Sequence, residues 1–523
     1  MPTMEGGDRI KNQFILSSSP SQASVIYINL IYYIKMDRTH IFFSTVLMAL
    51  SMNISAETIE INGTERQYEV IKSEQPAPGV TYSRLRFTDS SFQLNVNMIV
   101  ADLSNPGCRV ETWCAKEASR GIEAITSAAS RLTSENLKPV AAANGNFWYC
   151  YGQNEYPTYN YIPRLLSIRN GVLVTELNTG REKWDGGAKR NGAVGITSDG
   201  HIYVDYFTPD YTLKMPTREM NINLCNKGIS AKYSTSGELG IYNSYYGRDT
   251  KFMYVEIDEN KKLIIDEEAA DATEVLLDID EGESWMTARD ISFTVKSVKK
   301  NAPAGTLGDH DLALVARGTT KAKRLAELKV GDKVQLNYSF LVTGSNVTPQ
   351  FEQAICGNAL VMRDGELTEH NSNEEYNSMI YSRTAYGCDA DNRKLYIIVI
   401  DKSTDPVYGK SRGCTTAEMC QIAHHFGCSN LANFDAGGSA EMMYDGKIIN
   451  TTTEATPRDV ANGLMIFSTG MSAAIDTVIS ENSSAAPVEW YSVDGRRLST
   501  EPTASGMYVR RRGNSSEKIF IEN

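Results

Sequence analysis

The chain is predicted to be an α+β protein in which β-rich mixed sheets dominate, a few helices pack on them, and a small all-β tail closes the C-terminus. Three observations predict this. Short apolar runs are repeatedly divided by turn dipeptides, one segment carries a complete helix signature, and the composition changes abruptly near residue 470. The dipeptides Asn170-Gly171, Asp199-Gly200, Asp364-Gly365 and Asp445-Gly446 each lie between apolar runs and tolerate the positive φ of tight hairpins. No period of ~20–50 residues recurs, which argues against a solenoid or propeller.

Element by element, residues 92–102 alternate apolar and polar side chains, the pattern of a half-buried strand. Residues 115–136 read as a helix-containing link, and 140–143 as a buried strand running into Asn144 and Gly145. The helix signature begins at Thr415, with Glu418 completing a capping box. Met419, Ile422, Ala423 and Phe426 form an apolar stripe, and Gly427 supplies the stop. A short buried strand, residues 430–434, then enters the turn Asp435-Ala436-Gly437-Gly438-Ser439.

Length and charge bound the function. A chain of 523 residues can hold more than one folding unit, and 41 % hydrophobic with 22 % charged residues suits a globular protein. The formal net charge of −12 excludes a polyanion surface, so no nucleic-acid partner is expected, although a few placed arginines can still bind a small phosphorylated substrate. Residues 36–56 read as a secretory signal: a short polar start with Arg38, an apolar run from Ile41 to Leu50, and Ala56 at a plausible cut. The run is shorter than the ~20 residues of a membrane span, so the mature chain is expected to be exported without one, to the periplasm, outer surface or exterior. Nine cysteines at irregular spacings fix no disulfide pairing. The expected organisation is an upstream segment and signal over 1–56, a main domain over 57–470, a Ser/Ala-rich linker over 471–487 and a β tail over 488–523.

The chemistry-bearing residues gather in a few segments. An acid at a strand end followed by glycines leaves room for a ligand to approach the backbone, although such a turn can also be simple geometry. Arg383 lies among small and apolar residues in Tyr381-Ser382-Arg383-Thr384-Ala385. A buried guanidinium needs a phosphate or a carboxylate, and Asp435 or Asp389 could supply the latter. Cys420, His424 and Cys428 are too far apart along a helix to share one ion, and no metal or cofactor is expected.

Taken together, these segments resemble the phosphodiester glycosidase family. Ala143-Asn144-Gly145-Asn146-Phe147-Trp148 is similar to its Asn-Gly-Gly-Phe-Phe segment, and Arg383-Thr384-Ala385-Tyr386-Gly387-Cys388-Asp389 to its Arg-Thr-Ala-x-Gly-x-Asp. Asn433-Phe434-Asp435-Ala436-Gly437-Gly438-Ser439 resembles the Asn-Leu-Asp-Gly-Gly-Gly-Ser core, and Pro457-Arg458 with Val460 and Asn462 the closing motif. Ala436 in place of Gly and the extra carboxylate Glu441 are departures. The resemblance implies hydrolysis of a sugar 1-phosphodiester. It implies catalytic roles for Asp435, Arg383 and Arg458, with Glu441 as second carboxylate. Asn144, Thr384, Gly437, Gly438, Ser439 and Asn462 would contact the glycosyl-phosphate or glycan substrate. A non-catalytic glycan-binding envelope protein on the same scaffold is the alternative, with Tyr242, Tyr245, Tyr246, Trp148, Tyr149 and Tyr151 as stacking platforms. The tail resembles the C-terminal sorting or attachment modules of secreted bacterial proteins, or is a plain β appendage.

Overall fold

The structure is a computed structural model that describes residues 57–149, 161–177, 191–232, 234–259, 263–469, 488–492, 497–498, 500–503, 506–512 and 515–521. The signal segment, Tyr151 and the whole of the linker lie outside these residues. Strand accounts for 50 % and helix for 10 %, as expected of a β-rich α+β chain.

Among the described residues, three sheets build the body. A nine-stranded antiparallel sheet runs, in spatial order, Glu57–Ile61, Thr64–Ala77, Val80–Phe87, Leu94–Asp102, Lys394–Ile400, Arg383–Cys388, Asn430–Asn433, Ala359–Arg363 and Glu366–Leu367. A five-stranded sheet runs Lys447–Ile448, Met442–Tyr444, Lys138–Asn144, Asn462–Ser468 and Cys108–Cys114. A twelve-stranded sheet is drawn largely from the stretch between Ser167 and Cys356 and carries one parallel pair, Leu224–Cys225 beside Glu238–Tyr242. The tail strands Val488–Ser492, Arg497–Leu498, Gly506–Arg512 and Ser515–Ile521 pair with one another in a sheet of their own.

The central core lies where these sheets meet. Ile99, Ile397, Val399 and Ala432 from the nine-stranded sheet meet Ala141, Ala143, Leu464 and Ile466 from the five-stranded sheet, with Val194 and Ile355 from the twelve-stranded one. The helix Thr416–His425 covers the opposite face of the nine-stranded sheet through Met419, Cys420, Ile422 and Ala423. Its capping box is formed as expected: Thr415 accepts from the Glu418 N–H while Glu418 accepts from the Thr415 N–H. Gly427 adopts φ +93°, which a side chain would disfavour.

One expectation needs correction. The strand Leu94–Asp102 is buried along nearly its whole length rather than on alternate positions, because the helix covers one face of its sheet and other sheets cover the other. Its polar positions are absorbed inside, as where Asn97 Oδ1 accepts from the Tyr82 hydroxyl at 3.1 Å.

Strand ends position the site. Register places Asn433 opposite Ala385 in one sheet, and Asn144 opposite Gly463 in the other. The chain leaves the nine-stranded sheet at Asn433, turns through 434–441, and enters the five-stranded sheet at Met442. Asp435 therefore stands on the crossover, at the end where Asn144 finishes a strand and Arg383 and Asn462 begin theirs.

Candidate active site

Asp435 anchors the site. Its main-chain carbonyl accepts from Asn144 Nδ2 at 2.8 Å, and its carboxylate accepts from the Ala436 N–H at 2.9 Å and from the Ser439 side chain. The residue keeps partial contact with solvent although protein crowds it. Desolvation raises its carboxyl to about 6, against the opposing pull of those hydrogen bonds and of Arg458 and Arg164.

Ser439 links acid to base. Its buried hydroxyl accepts from Arg458 Nη1 at 3.2 Å and contacts Asp435. Arg458 also donates from Nε to Glu454 Oε2 at 3.2 Å, and its Nη2 pairs with Glu454 Oε1, a forked ion pair one helical turn apart in sequence. This pair lies directly over Gly438, where a Cβ would collide with both partners. Gly437 has φ +66° and open space where a Cβ would stand. The two glycines thus serve different ends: one lets the arginine close down, and the other supplies a backbone conformation with room above it.

Glu441 is sealed from solvent, with Oε1 accepting from the Arg458 main-chain N–H and Oε2 without a hydrogen-bond partner. Burial pushes its carboxyl up to about 7. Asn144 is fully engaged as a clamp: its Oδ1 accepts from the Thr384 hydroxyl at 2.7 Å and from the Glu441 N–H at 3.1 Å. Asn462 accepts from the Asn146 N–H at 2.9 Å and donates to Ser167 at 3.3 Å. Asn144, Thr384 and Asn462 are therefore buried among protein partners and lock the strand ends to one another.

Arg383 is inaccessible to solvent and has neither of the carboxylate partners weighed from the sequence. Its Nε donates to the Cys414 carbonyl at 3.1 Å, and its Nη2 to the carbonyls of Tyr376, Asn377 and Met379. The guanidinium lies 5.1 Å from the Tyr376 ring centre and 5.4 Å from that of Tyr381. Desolvation lowers its pKa, and Nη1 has no hydrogen-bond partner. Tyr376 in turn stands beside Asp435 and the Ala436 main chain. Arg383 is thus one aromatic ring removed from the acid, and it ties down the segment carrying that ring. Asp389 instead accepts from the main-chain N–H groups of Arg393 and Lys394 and anchors the hairpin there.

Three neighbours escaped the sequence reading. Arg164 adds positive charge toward Asp435 and lies over the Tyr149 ring at 4.5 Å. Its signal was available, since Pro163-Arg164 repeats the Pro-Arg pair of the closing motif. Glu454 had a weaker signal, four positions before Arg458. Tyr376 had none. Two of the six aromatics considered for glycan stacking, Tyr242 and Tyr149, are buried core, and the partly buried Tyr246 packs edge-on against Tyr242 at 4.9 Å.

Comparisons with known proteins place this geometry in context. Residues 290–467 match the family model for the phosphodiester glycosidase. A comparison with curated proteins gave no match. A hypothetical protein from Synechocystis superposes with a TM-score of 0.52 at 15 % identity, covering 75 % of this chain. The chain spans 62 % of that protein's length. A Burkholderia pseudomallei K96243 protein, described by inference as exported, gives 0.55 at 14 % identity, covering 79 % of this chain and 100 % of its own. These two likenesses concern the fold alone. The catalytic domain of zebrafish N-acetylglucosamine-1-phosphodiester alpha-N-acetylglucosaminidase, auto-inhibited by its pro-peptide, gives 0.34 at 14 % identity over 77 % of this chain and 87 % of that one. The match spans Arg383, Asp435, Glu441 and Arg458, and the chain therefore carries a phosphodiester glycosidase family domain, matched over residues 290–467.

Proposed function

We propose that the chain is an exported hydrolase that cleaves a sugar 1-phosphodiester, releasing the sugar and a phosphomonoester. The observation that carries this reading is the Asp435–Ser439–Arg458 relay: a carboxyl raised to about 6, joined through one hydroxyl to a guanidinium over a Gly-Gly turn. The family match supports it. Export rests on the signal pattern of residues 36–56. No helix among the described residues is long and apolar enough to cross a membrane.

In this reaction the bond between the anomeric carbon and the phosphate oxygen breaks, and its electron pair leaves on that oxygen. A phosphomonoester is already a fair leaving group, so charge stabilisation outweighs protonation of the departing oxygen. Arg458 and Arg164 supply the positive field, which acts most strongly in a desolvated site. At neutral pH Asp435 is largely ionised. It either takes the proton of the attacking water or bonds to the anomeric carbon before water releases the sugar. Ser439 orients the carboxylate, Gly437 leaves space for the substrate, and Asn144, Thr384 and Asn462 fix the framework. Glu441, sealed from solvent, holds the Arg458 main chain and acts through that arginine rather than on the substrate. Arg383 supports the phosphate side indirectly, by fixing Tyr376.

A panel of sugar 1-phosphodiesters incubated with wild type, Asp435→Asn and Arg383→Ala tests this, with product anomers followed over time. Asp435→Asn is expected to lower kcat ~10²–10⁴-fold. Undiminished turnover in either folded variant removes that residue from the mechanism.

A further inference from the structure

Beyond the Glu454–Arg458 pair opens a cleft of about 540 Å³, walled by Ser403, Thr404, Asn450, Thr451, Thr453 and Glu454 among others. Its volume falls within the ~300–1,000 Å³ usual for small-ligand sites. No Lys, Arg or His lines it, so it offers an anion nothing. Three of the wall's hydroxyl protons are already directed into the protein. Ser403 donates to the Thr451 carbonyl at 2.7 Å, Thr451 to Asp405 at 2.5 Å, and Thr452 to the Glu454 carbonyl at 2.8 Å. A hydroxyl that donates inward retains lone pairs for an incoming donor. With the Glu454 carboxylate added, the wall is rich in acceptors and suits an uncharged ligand bearing several hydroxyls.

The wall is also built into the same framework as Asp435. Asn450 Oδ1 accepts from the Met442 N–H at 2.8 Å, and its Nδ2 donates to the Ala440 carbonyl at 3.0 Å. Thr453 Oγ1 lies 3.2 Å from Ser382 Oγ, which donates to the Gly437 carbonyl at 2.8 Å. The cleft and the catalytic turn thus share one scaffold, with Glu454 lining the cleft and pairing to Arg458 beside that turn.

We propose that this cleft is a subsite for the leaving alcohol of the phosphodiester, selecting a neutral polyhydroxylated group. The inference rests on the hydrolase reading above: with the phosphate at Arg458 and the reacting sugar toward Asp435, the alcohol esterified to the far phosphate oxygen extends into this cleft.

The test compares kcat/KM for two diesters of one sugar, carrying methyl or glyceryl alcohols, in wild type, Thr404→Trp and Ala455→Trp. Both substitutions fall at exposed positions, where folding tolerates change. Wild type is expected to favour the glyceryl diester about tenfold, the value of one or two net hydrogen bonds. Each Trp variant is expected to lose that preference while its methyl rate stays within about twofold of wild type. Equal rates on both diesters in wild type, or equal losses on both in the variants, would overturn the proposal. Absence of turnover on every sugar would sink the hydrolase reading instead. Saturation-transfer NMR with mannitol then decides the cleft: contacts in wild type that both Trp variants abolish support it, and no contact in wild type refutes it.

Discussion

Asp435 and Arg458, the proposed acid and phosphate-binding residues, differ in their surroundings. Burial lifts the acid to about 6, near enough to neutrality to accept a proton, while Ser439 and the Ala436 N–H prevent it from rising further. In the proposed mechanism the ionised form acts on the anomeric carbon, so kcat/KM is expected to climb as pH rises through about 6. A flat profile from pH 5 to 8 would contradict that role. Arg458→Lys keeps the charge but loses the fork, and is expected to cost ~10²-fold in kcat. Steady-state rates measured beside thermal melts separate this from unfolding. The sequence made Asp435, Ser439 and Arg458 legible because their spacing follows a motif. It could not tell that Arg383 faces carbonyls, because a buried guanidinium is satisfied by whatever acceptors the fold brings near. Nor could it reveal Tyr376, whose position depends on a short helix with no periodic signal of its own.

Elements set these residues in place through their ends. The helix Thr416–His425 was readable in full, because capping and stripe are local properties of one segment. Removing the cap with Thr415→Ala is expected to cost ~1 kcal/mol, measurable by urea denaturation. The change should leave KM untouched, since the helix lies on the far face of the nine-stranded sheet. The strand Leu94–Asp102 was harder to read, because its burial depends on what covers each face, and alternation alone cannot report a two-sided cover. The turn through 434–441 gains its meaning only as a crossover between two sheets. No local pattern announces that Asn144, 291 positions away in sequence, holds its carbonyl.

The whole molecule carries a cost for these buried acids. Asp401 and Glu441 are raised to about 7 and Asp435 to about 6, each chiefly by desolvation. Asp401 Oδ1, like Glu441 Oε2, has no hydrogen-bond partner. A carboxyl whose folded pKa exceeds its unfolded one holds protons that the unfolded chain releases, so stability is greatest below the unfolded pKa, near 4, and declines as pH rises through 7. Asp401→Asn is therefore expected to stabilise the protein at pH 8, on the order of 1–3 kcal/mol, and to do little at pH 4.5. Melting curves at the two pH values check this, and an equal effect at both would contradict it. That β-rich mixed sheets would dominate was foreseeable as a class, but which sheet ends would meet was not, because long-range pairing leaves little local trace. The proposed reaction breaks a carbon–oxygen bond at the anomeric centre. Hydrolysis of a turned-over sugar 1-phosphodiester in ¹⁸O-labelled water, with the phosphomonoester weighed by mass spectrometry, tests it most directly. An unlabelled phosphomonoester is the expected result, with the label entering the sugar. Label in the phosphate would mean that water attacks phosphorus, and the glycosidase account would fail.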